Sequence, residues 1–142
     1  MMIVDTNVVS GIMADRRDPR LDAWLDEMGA PTLWLTTIVI FEIKGWIDVM
    51  PHGRRKRRLL VAFDRLLNVA FRERILPFDT QAAIAAAAIG AARKARGQSA
   101  GAADTMIAGI AVANGAALAT RNVRHFSDLP VKVIDPWAAT AE

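Results

Sequence analysis

Short apolar runs alternate along this chain with longer segments whose apolar residues recur every three or four positions. Met1-Met2-Ile3-Val4 reads as a buried strand ending at Asp5-Thr6-Asn7. Asp18-Pro19 opens an amphipathic helix with Leu21, Trp24, Leu25 and Met28 on one face, stopped at Gly29. Leu33-Trp34-Leu35 is a second strand, and Thr36 or Thr37 caps a helix running through Glu42 and Trp46 towards Met50. After the Pro51-His52-Gly53 break, Leu59, Leu60, Phe63, Leu66 and Leu67 predict one long helix over 54–72. Arg74 to Phe78 is a third strand. Asp79 or Thr80 then caps an alanine-rich helix to Ala95, closed by Arg96-Gly97-Gln98-Ser99. A further helix spans 101–115, followed by strands over 117–120 and 131–134. Strands and helices alternating at these spacings predict an α/β fold, with a mainly parallel sheet covered by helices on both faces.

Composition narrows this to one domain over residues 1–142, long enough to bury a real core. With 53% hydrophobic residues the chain is not disordered, and a doubly covered sheet can be filled. No cysteine is present, which removes disulfides, zinc–thiolate sites and cysteine nucleophiles and suits a reducing cytoplasm. No basic-then-apolar leader precedes Asp5, and no apolar stretch approaches the ~20 residues a membrane span takes, so no membrane association is expected. A formal charge of +3 is compatible with a polyanionic partner but does not identify one.

Three carboxylates stand where apolar runs meet structural boundaries: Asp5, Glu42 and Asp104. In an open parallel sheet, ligands bind beyond the carboxyl ends of the strands. Asp5 follows strand one, Glu42 lies in the first turns after strand two, and Asn122 follows strand four. Asp104 reaches the same edge if its helix starts there. Acids brought together repel one another and take up protons unless a divalent cation balances them. A donor set of oxygens favours Mg²⁺ or Mn²⁺, so the pattern points to metal-dependent phosphoester chemistry. Each acid also has a structural reading. Asp5 can cap a turn starting at Asn7, Asp104 can favour a helix dipole, and Glu42 can be a solvated helix residue. The last reading fits poorly in a helix so apolar.

The segments Ile3-Val4-Asp5-Thr6-Asn7-Val8-Val9-Ser10, Thr37-Ile38-Val39-Ile40-Phe41-Glu42-Ile43, Ala103-Asp104-Thr105-Met106-Ile107-Ala108 and Leu118-Ala119-Thr120-Arg121-Asn122 resemble, in order and spacing, those of PIN-domain ribonucleases. The likeness is greatest to the VapC and FitB toxins of bacterial toxin–antitoxin pairs. It implies a three-layer α/β/α fold and an endoribonuclease in which Asp5, Glu42 and Asp104 bind Mg²⁺ or Mn²⁺. It also implies a homodimer, able to enter a higher toxin–antitoxin assembly, neutralised by a small antitoxin that inserts a peptide near the acidic pocket. Thr6 and Asn7 would orient Asp5. Thr105 and Thr120 would act similarly or cap their elements for structural reasons alone. Family members usually carry a fourth acid directly after Thr-Arg or three residues later, before Phe. Here those positions hold Asn122 and His125. Asn122 still offers a carbonyl oxygen without charge, which favours one strong metal site over two. Glu42 can serve as ligand or as base. Asp128 reads as loop surface, and His125 and His52 as rim or surface residues.

Arg121, beside the proposed site, is the best single candidate for a substrate phosphate contact. The run Arg54-Arg55-Lys56-Arg57-Arg58 opposes a helix dipole at some cost, which a nucleic-acid backbone or an acidic partner would offset; a solvated face is the plain alternative. Arg93, Lys94 and Arg96 sit favourably at a helix C-terminus. The alanine-rich helix with Gly90 allows close approach of a neighbouring helix or a second subunit, and the four tryptophans read as core or interface anchors. The rivals to a toxin ribonuclease are a catalytically weak or inactive binding module of the same fold and a DNA-directed metal nuclease. A phosphoacceptor receiver domain ranks lower, because Pro77-Phe78 stands where its acceptor Asp would be.

Overall fold

A computed structural model describes residues 1–98 and 101–138. Five strands, β1 (Met2–Val4), β2 (Leu33–Thr36), β3 (Ile75–Leu76), β4 (Ala117–Ala119) and β5 (Val133–Ile134), form one sheet in the order β3-β2-β1-β4-β5. Every pairing is parallel; Ile3, for example, lies opposite Trp34 on one side and Leu118 on the other. Ile3, Val4, Leu35 and Leu118 are fully buried, as expected for a parallel sheet covered on both faces. The result is the three-layer α/β/α arrangement that strand–helix alternation predicts.

Among the described residues six α-helices complete the layers: α1 (Thr6–Met13), α2 (Pro19–Met28), α3 (Thr37–Asp48), α4 (Arg54–Arg65), α5 (Thr80–Ala95) and α6 (Ala102–Asn114). Their starts are written in the sequence. Asp18, Thr36 and Asp79 each accept a backbone N–H from the first turn of the helix they precede. Gly29 and Gly115, both at positive φ, stop α2 and α6.

Helix α1 extends the sequence reading, which offered only a turn starting at Asn7 with Asp5 as its cap. It is only eight residues long, and its signals are a capping Asp5 and the buried pair Val8 and Val9 with Met13. The helix expected over 54–72 is also modified. Regular α4 ends at Arg65, and Leu66–Ala70 form a π-helical turn that carries the chain into β3. A 3₁₀ turn over Val123–Phe126, with Phe126 fully buried, follows β4.

The close approach foreseen at Gly90 occurs at Gly109 of α6 instead. A Cβ there would lie 2.5 Å from the Ala82 carbonyl oxygen and 2.6 Å from the Ala86 Cβ, whereas at Gly90 it would meet only Thr105, at 3.6 Å. Of the small residues of α5, Ala82 and Ala86 are buried in this contact, whereas Ala87, Ala88, Ala91 and Ala92 remain exposed. Trp24 and Trp137 belong to the core, Trp34 is half-buried, and Trp46 lies on the surface. Helix α3 exposes Phe41 as well, with Val49 just beyond its end, so its apolar composition does not mean a fully buried helix.

The chain order turns back between β1 and β4, which are neighbours although more than 100 residues separate them. This is the switch point at which open α/β sheets leave a crevice at the carboxyl ends of their strands. Asp5 follows β1 there and Thr120 follows β4.

Candidate functional site

Asp5 is 2% exposed and serves two ends at once. One carboxylate oxygen caps α1, accepting the Thr6 N–H at 2.8 Å. The other accepts the Thr120 hydroxyl at 2.7 Å and, more loosely, the Asn7 amide at 3.4 Å. Asn7 also reaches Thr120 Oγ1, and its own carbonyl oxygen accepts the Arg121 N–H at 3.0 Å. Thr6 donates its hydroxyl to Glu42 of α3. The cap reading of Asp5 therefore holds, and the same carboxylate is also tied across the sheet to Thr120.

The electrostatics join the three acids. Burial pushes the Asp5 carboxyl above its ordinary range; hydrogen bonds from Thr120 and Thr6 oppose this, and the negative charges of Asp104 and Glu42 add to the rise. The charges of Asp104 and Glu42 are the smallest of these influences on Asp5. Asp104 sits in the first turn of α6, facing the loop after β4, where His125 Nδ1 lies 3.2 Å from its Oδ2. The arrangement is open. Among the described residues no group of three His, Cys, Asp or Glu side chains is gathered closely enough to form a ready-made metal cage.

A divalent cation nevertheless fits the chemistry of these donors. A buried carboxylate with two further acids acting on it lacks positive charge, and oxygens alone suit a hard ion. Mg²⁺ in particular uses one or two carboxylates and keeps several waters, so it needs no closed cage. Two clefts, about 340 and 540 Å³, lie elsewhere, between α1, α2 and the α4 side, and none of the three acids lines them. The three acids, rather than these clefts, are the candidate site, because an ion site is defined by donors and charge and needs little volume.

Arg121 is exposed, and its guanidinium stacks 3.9 Å from the centre of the Trp137 ring. Asn122 is engaged through its backbone, donating to Thr120 Oγ1 at 3.0 Å and accepting from the His125 N–H. Asp128 is exposed in a loop, as expected, but it is not a free surface group. Its carboxylate is forked by the buried Arg93 at 2.9 and 3.0 Å and also met by Arg96, and the Arg93 contact holds it below the usual range. Arg93, expected only to complement a helix end, is 3% exposed and also donates to the His125 carbonyl and to Thr105 Oγ1. Helix-end spacing gave no hint of this, since Asp128 and His125 come from a loop more than 30 residues on.

Residues 2–132 match the family model described as PIN domain. The chain belongs to the PIN-domain family. Relatives of this PIN domain include the plasmid stability protein StbB of Pseudomonas syringae pv. tomato, 37% identical over 98% of this chain and 100% of that protein. A second is the VapC ribonuclease Y4jK of Sinorhizobium fredii, 34% identical over 96% of this chain and 98% of that protein. Among solved structures, FitAcB from Neisseria gonorrhoeae superposes with a TM-score of 0.83 at 31% identity, covering 96% of this chain and 99% of that chain. The PIN-domain core of the present chain therefore extends over nearly all its length.

Proposed function

We propose that this PIN domain is a divalent-metal-dependent endoribonuclease and the toxin of a toxin–antitoxin pair. The observation that carries the reading is the buried Asp5 at the switch point, bridged to β4 by Thr120 and acted on by Asp104 and Glu42. Similarity to a protein named VapC ribonuclease supports RNA as the substrate. Asp5, Asp104 and Glu42 would hold Mg²⁺ or Mn²⁺, with Asn122 at the rim. When bound, the ion would polarise the scissile phosphate and lower the pKa of a water.

The chain's own residues supply orientation and charge. Thr120, Thr6 and Asn7 fix the Asp5 carboxylate, and Thr6 also tethers Glu42. Glu42 would bind through water or take a proton from the attacking water. Thr105, bonded to Arg93, steadies the turn that carries Asp104. Arg121, stiffened on Trp137, offers a guanidinium for a phosphate next to the scissile one. A small antitoxin would control the activity, and Phe41 and Val49 supply exposed apolar surface for a homodimer. No described helix is long and apolar enough to cross a membrane.

Purified, antitoxin-free protein incubated with a mixed RNA pool and with matched DNA tests this. Cleavage of RNA with Mg²⁺ or Mn²⁺, lost in EDTA and in Asp5→Asn, is the expected result. Preferential cutting of DNA would reassign the substrate, and folded protein inert towards both would favour a binding module.

A further inference from the structure

His125 stands three residues after Asn122, before Phe126, and the structure brings its imidazole to Asp104. The contact is built from below. Phe126 is fully buried and roots the 3₁₀ turn. Arg93, itself buried, grips the turn by the His125 carbonyl and by Asp128, and holds Thr105 of α6 with its remaining nitrogen. Asp104 is the neighbour of Thr105, so one guanidinium fixes the backbone on both sides of the His125–Asp104 pair.

The separation of that pair is informative. Nδ1 and Oδ2 lie 3.2 Å apart, longer than the ~2.7–2.9 Å of a charge-assisted hydrogen bond. With metal–donor bonds of about 2.1 Å, two adjacent donors at a right angle to one ion lie about 3 Å apart. The imidazole is about half exposed and Asp104 about one quarter, so the space beside both is open to a hydrated ion.

We propose that His125 is a nitrogen ligand of the metal site, paired with Asp104, and that it biases the site from Mg²⁺ towards Mn²⁺ and Co²⁺. The assignment rests on the metal-dependent reading above. An imidazole suits transition ions, whereas Mg²⁺ prefers oxygen and water. A site with His125 in place of a carboxylate carries one negative charge fewer and gains a softer donor. Asn122 then remains an uncharged residue at the rim.

The test uses the full chain without an affinity tag, loaded with Mn²⁺ alone. Pulsed electron paramagnetic resonance of bound Mn²⁺ reads a directly coordinated ¹⁴N nucleus without reference to activity. The expected result is ¹⁴N modulation in the native protein and in His52→Gln, lost in His125→Ala and His125→Asp. Calorimetric titration should show Mn²⁺ affinity falling about tenfold in His125→Ala, with Mg²⁺ affinity changed much less and raised in His125→Asp. Saturable Mn²⁺ binding without ¹⁴N modulation in the native protein, or modulation that survives in His125→Ala, overturns the assignment and leaves the metal reading intact. No saturable Mn²⁺ binding at all overturns the metal reading and the ligand assignment together. The native spectrum decides the matter even if a variant folds poorly.

Discussion

Thr120, at the end of β4, donates its hydroxyl to the Asp5 carboxylate at the end of β1, 2.7 Å away and 115 residues apart in sequence. This buried bond spans the switch point of the sheet and orients the acid on which the proposed site depends. Thr120→Val keeps the shape and removes the donor. A carboxylate that loses such a partner is misaligned, and outer partners of metal ligands are worth about 10–100-fold in affinity or activity. Divalent-ion titration of Thr120→Val should show a loss in that range, while its circular dichroism spectrum stays native.

Asp5 itself carries a pH signature. Its carboxyl is raised by burial first, and then by Asp104 and Glu42. Folding therefore favours its protonated form. Without metal, the stability it costs appears as pH climbs from the ordinary aspartate range through the raised value, and persists above it. Asp5→Asn should remove this slope and, in EDTA at neutral pH, melt above the native protein. Saturating Mn²⁺ should reverse the order, since a ligand at 100 times its Kd stabilises by about 2.7 kcal/mol. A native protein whose melting temperature ignores Mn²⁺ would contradict the assignment.

Asp128 has the opposite sign. Arg93 holds its carboxyl below the usual value, so its contribution is present above the ordinary aspartate range and is lost as pH falls through the lowered value. Asp128→Asn should flatten the acid limb of the stability curve. Arg93→Met should cost about 1–3 kcal/mol in denaturant unfolding, because it strands hydrogen-bonded groups on the loop.

Gly109 allows α6 to touch the backbone of α5. Gly109→Ala puts a methyl against the Ala82 carbonyl oxygen, which cannot swing aside as a side chain would. Overpacking of this kind costs about 1–3 kcal/mol. Thermal or urea unfolding would show it, and an unchanged midpoint would mean the helices can part without penalty.

The basic run divides. Arg58 pairs with Asp15 and reaches the Met13 carbonyl, Lys56 caps carbonyls of Asp48 and Met50, and Arg55 lies over Trp46. Charge neutralisation should therefore centre on Arg54 and Arg57. Arg54→Gln with Arg57→Gln should reduce the salt dependence of RNA binding by about one unit of slope for each phosphate left without its arginine. An unaltered slope assigns the run to structure alone.

Much of this protein was legible in its residues. Apolar runs and caps such as Asp18, Thr36 and Asp79 placed four of the longer helices and all five strands, because local backbone preferences and burial periodicity act over a few residues. The π-helical turn at Leu66–Ala70 was not legible, since its apolar spacing continues that of α4. The buried Arg93 was not legible either: its partners, His125, Asp128 and Thr105, come from other elements, and no short-range pattern marks them.

By itself the sequence determined the alternation of strands and helices, the absence of thiol chemistry and the placing of Asp5 and Asp104 at element ends, whereas Glu42 lies within α3. Those follow from composition and short-range spacing. Only the tertiary structure decided that β1 and β4 lie side by side, that Thr120 therefore meets Asp5, and that His125 rather than an acid faces Asp104. The reason is physical: such contacts are chosen by how a whole sheet and its helices bury their apolar faces together, a condition that no segment satisfies alone.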